Sequence, residues 1–193
     1  MKKSKVETAE TRQRIIDVAA REFRLNGIRA TGLNELMSAA GLTRGGFYRH
    51  FESKDHLVAE ACAAGVKSIV GALEEVASDH EGVDGFLAIV ERYVSTAHRD
   101  TNVGGCPLAA MGSELARADD TTRTAASDGF DKLVDVIAKR LIDPQSDDDR
   151  SQAVFALAAM IGAVTMSRIV VDPDASALIL QQVKQHLDAL PAT

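Results

Sequence analysis

Apolar residues recur along this chain at intervals of three and four positions, the spacing that places them on one face of an α-helix. A strand would instead alternate apolar and polar residues, and that pattern is not a feature of the chain. Only four of the 193 residues are proline, so few positions interrupt a helix. The pattern therefore predicts an all-α protein.

The first forty residues predict two helices. The first spans about 8–26 and ends at Gly27, because glycine readily adopts the left-handed backbone that closes a helix. The second is short and follows Thr31, which we expect to be its N-cap. Its apolar side chains form one stripe, made of Leu33, Leu36, Met37 and Ala40. Gly41 ends this helix.

A third helix is expected from Thr43 through Phe51, and a fourth from its cap Ser53 towards 79. Because the second and third helices are joined by the short turn 40–43, they form a helix-turn-helix pattern at about 32–51. At 100° per residue, Phe47 and Phe51 point inward. The glycine pair 45–46 is costly in an ordinary surface helix but allows close approach to a major groove.

This third helix predicts a surface that contacts DNA. Arg44 and Arg49 have the reach and the donors to bind guanine edges. The other candidates suit phosphate contacts or close backbone approach, and they are Thr31, Thr43, Gly45, Gly46, Tyr48, His50 and Lys54. For Tyr48 and His50, local packing is the alternative.

A net charge of −6 is not typical of a nucleic-acid binder, but the charge is unevenly distributed. Residues 1–60 contain 11 Lys and Arg against 8 Asp and Glu, whereas the remaining residues contain 11 against 20. A basic segment on an acidic body is expected when only one part of a protein approaches phosphate.

The stretch 11–57 resembles the DNA-binding domain of TetR/AcrR-type transcriptional regulators. The resemblance rests on helix caps, core positions and phosphate contacts at Ile15, Ala19, Phe23, Asn26, Gly27, Thr31, Leu36, Ala40, Gly41, the segment 46–51, Ser53 and Lys54. It implies a helix-turn-helix domain of three helices at 9–69 and a larger helical domain at 70–193 for ligand binding and dimerisation. It also implies a homodimeric repressor on double-stranded, palindromic operator DNA, released by an unknown small-molecule effector. The pair Gly45-Gly46 departs from the family pattern and leaves the groove-facing surface bare.

The C-terminal part predicts helices near 84–99, 107–117, 120–142, 148–171 and 175–190, with breaks at 104–105, 143–144 and 172–173. Two-fold pairing of the last two helices would form the dimer interface, for which we expect Val154, Leu157, Ile161, Leu180, Val183 and Leu187. Intrachain core is the alternative. An apolar effector cavity would be lined by Phe86, Ile89, Val90, Tyr93, Cys106, Met111, Phe130, Phe155 and Met160, each of which could also be plain core.

Cys106 precedes Pro107, which suits the first position of a helix. A thiolate there is stabilised by unpaired N–H groups, so we expect a lowered pKa. The segment 105–115 resembles a branch of the family with a Gly-Cys motif, some members of which sense electrophiles or oxidants through cysteine. The resemblance implies a thiol switch at Cys106; the alternative is a small buried residue. Cys62 is expected only to pack.

Other function classes fit the sequence less well. An enzyme using Cys106 as nucleophile and His98 as base lacks an orienting acid and an oxyanion device, so we expect no catalytic residues. A helical module that binds a partner protein without DNA would not need Arg44 and Arg49. The acidic triplet at 147–149 suits a helix N-terminus better than a metal, because no histidine accompanies it. We expect neither metal nor cofactor.

The chain also suggests where the protein works. Two cysteines and no export signal indicate a reducing cytoplasm and no structural disulfide. The apolar stretch 153–167 is shorter than the roughly 18–20 residues that span a bilayer, so no membrane partner is expected.

Overall fold

The computed structural model describes residues 5–101, 103, 105–141 and 147–190, including all their side chains except those of 147–149. Its regular elements are helical, which confirms the predicted all-α fold for the described part of the chain. In chain order they are α1 (Lys5–Asn26), α2 (Leu33–Ala39), a 3₁₀ helix (Arg44–Arg49), α3 (Lys54–Ser78), α4 (Gly82–Tyr93), α5 (Thr96–Arg99), α6 (Pro107–Leu115), α7 (Asp120–Ala138), α8 (Asp147–Ile169) and α9 (Pro173–Asp188).

The first three helical elements pack around one apolar core. Ile15, Phe23, Met37 and Phe47 are all fully buried there. The chain reverses at two glycines with left-handed backbone, Gly27 (φ 86°) and Gly41 (φ 71°), as the sequence predicted. These turns place the 3₁₀ helix on the outside of the bundle.

Two local expectations in this region are wrong. The N-cap of α2 is Gly32, whose N–H donates to the carboxylate of Glu35 at 3.0 Å, whereas Thr31 is buried. The third element is a 3₁₀ helix that ends at Arg49, not an α-helix through Phe51. Because Gly45 and Gly46 favour the α-helix poorly, the shorter element forms here.

Helix α3 continues through the expected domain boundary at 69–70. Ser53 caps it, as predicted, by accepting the His56 N–H at 3.0 Å. The helix packs against α1, α4 and α7. Gly65 lets α6 approach, since a Cβ there would lie 2.7 Å from Cγ of Pro107. One continuous helix therefore joins the N-terminal and C-terminal parts.

The helix expected at 84–99 is interrupted. Helix α4 ends at Tyr93, and Ser95 starts the short helix α5 by accepting the His98 N–H at 3.1 Å. The capping serine competes with the continuing helix, which explains the break. The other C-terminal helices lie within a few residues of their predicted ranges. The break at 143–144, the residue Gly104 and the carboxylates of the 147–149 triplet lie outside what the structure describes.

Two helices have the length and apolar composition that a membrane span requires, α3 and the segment 150–169 of α8. Each packs its buried face against other helices of the chain, α3 against α1, α4 and α7, and α8 against α7 and α9. This packing is that of core helices in a helical bundle.

Candidate nucleic-acid interface and its contacts with the C-terminal helices

The inward side of the 3₁₀ helix packs through buried aromatic side chains. Phe47 and Phe51 are buried and stack with their ring centroids 5.5 Å apart. The guanidinium of Arg12 lies 4.7 Å above the ring of Phe51 and forms an ion pair with Glu60 of α3. His56 contacts the same carboxylate at 2.7 Å. The 3₁₀ helix therefore rests on a surface to which α1 and α3 both contribute.

The carboxyl group of Glu60 is affected by this arrangement in two opposing ways. Burial raises its pKa, but the hydrogen bonds and positive charges of Arg12 and His56 outweigh that effect and lower the pKa overall. The ion pair is therefore weakened only in acid.

The opposite side of the 3₁₀ helix faces solvent. Thr43, Arg44, Gly45 and Arg49 are exposed, and neither arginine has an ion pair or hydrogen bond within the described residues. Tyr48 is 64% exposed, although its ring also contacts Phe47 edge-on at 5.2 Å between centroids. Local packing, the alternative to a DNA contact for Tyr48, therefore involves only one edge of its ring. His50 is half-buried where the 3₁₀ helix ends.

The two glycines are not required by packing inside the subunit. A Cβ at Gly45 would meet no atom within 4 Å, and one at Gly46 would reach only ordinary contact with Met37 at 3.8 Å. Since neither position needs a glycine for internal reasons, the bare surface suits close approach by an external partner.

Two of the predicted phosphate contacts have other partners. The hydroxyl of Thr31 is buried and donates to the carbonyl of Gly27 at 2.6 Å. The ammonium of Lys54 donates to the carbonyls of Ile28 and Thr31 at 2.6 and 2.7 Å, and lies 5.8 Å above the ring of Phe23. Both side chains therefore stabilise the turn 27–31, and the prediction that they face DNA is wrong for this structure.

The same turn is bound by a residue that the sequence did not single out. The carboxylate of Glu114, in α6, accepts the N–H of Ile28 at 3.0 Å and the N–H of Arg29 at 2.9 Å. A Cβ at Gly27 would lie 3.0 Å from that carboxylate, so glycine permits the contact. Because a carboxylate accepts two backbone N–H groups here, the C-terminal helices are directly connected to the turn before α2.

Cys106 does not have the chemistry predicted for it. Its thiol is fully buried, and burial raises its pKa more than the backbone of α6 and the charge of Arg24 lower it. The expected fall in pKa is therefore wrong for this structure. Cys62 is also buried, with a pKa raised to about 11 by burial, and packs as predicted.

His98 is engaged by backbone rather than by a thiol. Its Nδ1–H donates to the carbonyl of Tyr93 at 2.7 Å, and its Nε2 accepts the N–H of Cys106 at 2.9 Å. Burial lowers the pKa of the ring, consistent with this neutral form. With both nitrogens occupied, His98 is not placed to act as a base for Cys106.

The side chains predicted to line an apolar cavity mostly fill the core instead. The buried ones are Phe86, Ile89, Val90, Tyr93, Cys106, Met111 and Met160. Phe130 is half-buried, and Phe155 is 58% exposed on α8, which contradicts its predicted place in a cavity. Cavities of about 430 and 510 Å³ are present elsewhere, and they are lined by other residues.

The predicted interface residues divide into two groups. Leu157, Leu180 and Leu187 are buried inside the subunit, because α8 and α9 pack on each other, and their assignment to an interface is wrong. Val154 is exposed, and Ile161 and Val183 are half-buried.

The exposed apolar residues of α8 form a separate stripe. Phe155, Gly162 and Ile169 follow one another at seven-residue intervals along one side of the helix. Phe155 and Ile169 are 58% and 64% exposed, and Met166 and Leu178 add further exposed apolar surface. We call these residues the α8–α9 face.

Two family patterns match the chain. Residues 15–61 match the N-terminal domain described as bacterial regulatory proteins of the tetR family. Residues 82–186 match the C-terminal domain described as that of LmrA/YxaF-like transcriptional regulators.

Individual relatives agree with these patterns. The chain is 24% identical to the uncharacterised HTH-type transcriptional regulator YxaF of Bacillus subtilis, over 90% of this chain and 93% of that one. It is 49% identical to the transcriptional regulator AcrR of Shigella flexneri over only 59 residues, 31% of this chain and 27% of that protein. The crystal structure of a TetR transcriptional regulator from Chloroflexus aurantiacus superposes with a TM-score of 0.78 at 30% identity, covering 97% and 96% of the two chains.

Proposed function

The chain belongs to the TetR family of bacterial regulatory proteins, and from this premise we propose that it is a repressor that binds a palindromic operator as a homodimer. In this proposal, residues 9–69 bind the DNA, and residues 70–193 form the dimer and bind a small molecule that releases it. The protein acts on chromosomal DNA, hence in the cytoplasm.

One observation carries the DNA-binding proposal. The 3₁₀ helix presents two arginines without partners in the described chain, one largely exposed tyrosine and a bare glycine pair, while its phenylalanines are buried beneath. Exposed guanidinium groups suit guanine edges and phosphates, and the missing side chains allow the backbone to approach the floor of the groove. We assign base contacts to Arg44 and Arg49, and phosphate or backbone contacts to Thr43, Gly45, Gly46, Tyr48 and His50.

A palindromic operator requires two 3₁₀ helices at a fixed separation, so a dimer is part of the proposal. We place its interface on the α8–α9 face. A stripe of Phe155, Gly162 and Ile169 would pair with its copy across a two-fold axis, and Gly162 allows close approach because a Cβ there meets nothing within 4 Å. A large exposed apolar patch of this kind marks an interaction site.

Release by a small molecule is the third part of the proposal. Operator affinity falls if the molecule binds preferentially to a dimer whose 3₁₀ helices no longer fit the groove. The contact between Glu114 and the turn 27–31 supports this part, because movement of α6 would be transmitted to α1 and α2. An apolar effector stays a prediction, since its expected side chains fill the core. Release by an electrophile that modifies Cys106 also remains a prediction, because the thiol is buried.

The test is a mobility-shift assay with DNA from upstream of the gene, or with duplexes selected from a random pool. A retarded complex should form with one sequence in excess over others, and its affinity should fall steeply with salt, because each phosphate contact releases counterions. A protein that retards no duplex at low salt would contradict the proposal.

A further inference from the structure

A cavity of about 430 Å³ lies between α1, the segment that follows α5, and helices α6 and α8. Three arginines reach its wall, Arg24 from α1, Arg99 from α5 and Arg168 from α8, and no Asp or Glu is among the lining residues that the structure describes. Leu25, Ala109 and Ile169 supply an apolar part of the wall. The sequence did not predict this site, because its members come from four separated segments.

The Arg24 side chain indicates which class of ligand the cavity suits. Its Nε is buried without a hydrogen-bond partner, and the guanidinium has no ion pair among the described residues. Burial lowers the pKa of this guanidinium, and the nearby thiols of Cys106 and Cys62 offset that effect only in part. Arg24 is half-buried, and a positive charge that is partly removed from water without a compensating anion is unfavourable, so a bound anion would stabilise it.

The other two arginines are held in place at the same wall. Arg168 donates from Nε to the carbonyl of Arg99 at 3.0 Å and from Nη2 to the carbonyl of His98 at 3.1 Å. Arg99 pairs with the exposed carboxylate of Asp100 and donates to the hydroxyl of Ser176 at 2.9 Å. The two carbonyl contacts hold the Arg168 guanidinium at the wall, whereas the donors of Arg99 are already engaged by Asp100 and Ser176.

We propose that this cavity binds a small organic anion, a carboxylate or a phosphate with a short hydrocarbon body, whose charged end contacts Arg24 and Arg168. The inference rests on the proposed function, because it names the class of the effector. The volume is within the range of small-molecule sites, about 300–1,000 Å³. Leu25, Ala109 and Ile169 would contact the hydrocarbon body.

The position of the cavity gives the anion a route to the DNA-binding part. Arg24 belongs to α1, which ends two residues later at the turn 27–31, whereas Arg168 belongs to α8, two turns from Gly162 of the α8–α9 face. An anion bound by both arginines would therefore connect the DNA-binding helices to the helix that we assign to the dimer interface.

The test is isothermal titration calorimetry of the DNA-free protein with octanoate, inorganic phosphate and 1-octanol. The variants are Arg24→Met, which removes the charge but keeps an unbranched apolar side chain, and Arg117→Met, which removes an exposed arginine just after α6. We expect octanoate, phosphate or both to bind the wild type and Arg117→Met, with affinity for Arg24→Met lower by about tenfold or more. 1-Octanol, which has no charge, should bind poorly.

A second variant covers the case in which Arg24→Met does not fold. Ala110→Phe fills the cavity from α6 without altering any charge, and it should also prevent binding. If Arg24→Met does fold, its melting temperature should match or exceed that of the wild type, because a half-buried charge without a compensating anion has been removed.

The outcomes distinguish this inference from the proposed function. Binding of octanoate alone assigns a carboxylate ligand, and binding of phosphate alone assigns a phosphate ligand; both support the site. The inference is overturned if neither anion binds, if Arg24→Met binds as well as the wild type, or if 1-octanol binds as well as octanoate. Mobility shifts with ligand-free protein test operator binding separately, and the variants should retain it.

Discussion

In the 3₁₀ helix, Arg44 and Arg49 lie in solvent above a buried Phe47, whereas in the C-terminal part Arg168 lies half-buried at a cavity and Phe155 lies in solvent. Arginine is the more exposed of the two side chains in the first region, and phenylalanine is the more exposed in the second. An exposed arginine is readily solvated and is available to phosphate, whereas an exposed phenylalanine is unfavourable without a partner.

The comparison assigns a different partner to each region. The N-terminal region has a solvated cationic surface suited to DNA. The C-terminal region has an apolar stripe suited to a second copy of the chain and a cationic cavity suited to an anion. The contact between Glu114 and the turn 27–31 is where the two regions meet. Removing one partner, or the contact between the regions, should therefore have a separate, measurable effect.

The largest effect is expected at the α8–α9 face. Phe155→Glu should dissociate the dimer, because two phenylalanines, worth about 1.5–3 kcal/mol each when buried, are replaced by two carboxylates that approach each other. The dimer dissociation constant should rise about a hundredfold or more, measured by analytical ultracentrifugation. Ala63→Glu, on the exposed side of α3, is the matched control and should leave the dimer intact. A dimeric Phe155→Glu would place the interface elsewhere.

The next effect is expected at the 3₁₀ helix. Replacing Arg44 and Arg49 together by alanine should weaken operator binding by about thirtyfold or more, since each base contact contributes roughly 1–3 kcal/mol. Fluorescence anisotropy with a labelled operator measures this, and the dimer should persist. Arg117→Ala removes an exposed charge outside the 3₁₀ helix and should bind the operator normally. Unchanged affinity in the double variant would favour a helical module that does not use this surface.

A smaller effect is expected where the regions meet. Glu114→Gln keeps one oxygen acceptor but removes the charge, so it should lower the free energy of unfolding by about 1.5–3 kcal/mol, the contribution of hydrogen bonds to a charged group. It should also reduce the effect of a bound anion on operator affinity. Glu74→Gln, an exposed change on α3, should alter neither property. Denaturant unfolding measures the free energy of unfolding, and anisotropy with and without octanoate measures the effect of the anion on operator affinity. If anion response and stability are both unchanged, Glu114 does not couple the regions.

The smallest effect concerns acid. The pKa of Glu60 is lowered in the folded state, so its contribution to stability is present above the unfolded pKa and is lost as the pH falls through the folded one. From about pH 5 downward, wild type should lose more stability than Glu60→Gln, by less than about 1 kcal/mol because the pair is partly exposed. Denaturant midpoints at several pH values measure this. Parallel losses in the two proteins would assign the acid sensitivity to other groups.

The sequence was most informative where structure depends on near neighbours. The spacing of Phe47 and Phe51, the glycine stops and the Ser53 cap are local features, and they correctly predicted an outward-facing element between 43 and 51. Thr31 and Lys54 were assigned to phosphate because their residue types suit that role. Their actual partners are carbonyls of the turn 27–31, and the fold brings Lys54 to carbonyls 23 and 26 residues away in the chain.

The C-terminal sites depend on contacts that periodicity does not encode. Apolar spacing predicts that a face is buried, but not whether it is buried within one subunit or between two. Leu157 and Phe155 were therefore placed on the wrong sides of α8. Glu114 bonds to backbone 85 and 86 residues away, and Arg24 and Arg168 line the same cavity although they are far apart in the chain. Only the three-dimensional arrangement identifies these groups.

The central claim is that the surface from Arg44 to Arg49 distinguishes DNA sequences. Its most direct test is the ratio of affinities for the selected operator and for a scrambled duplex of equal length, measured at one salt concentration near physiological. The account predicts a ratio of about a thousand or more for the wild type, lost when both arginines are replaced. A ratio near one for the wild type would contradict it.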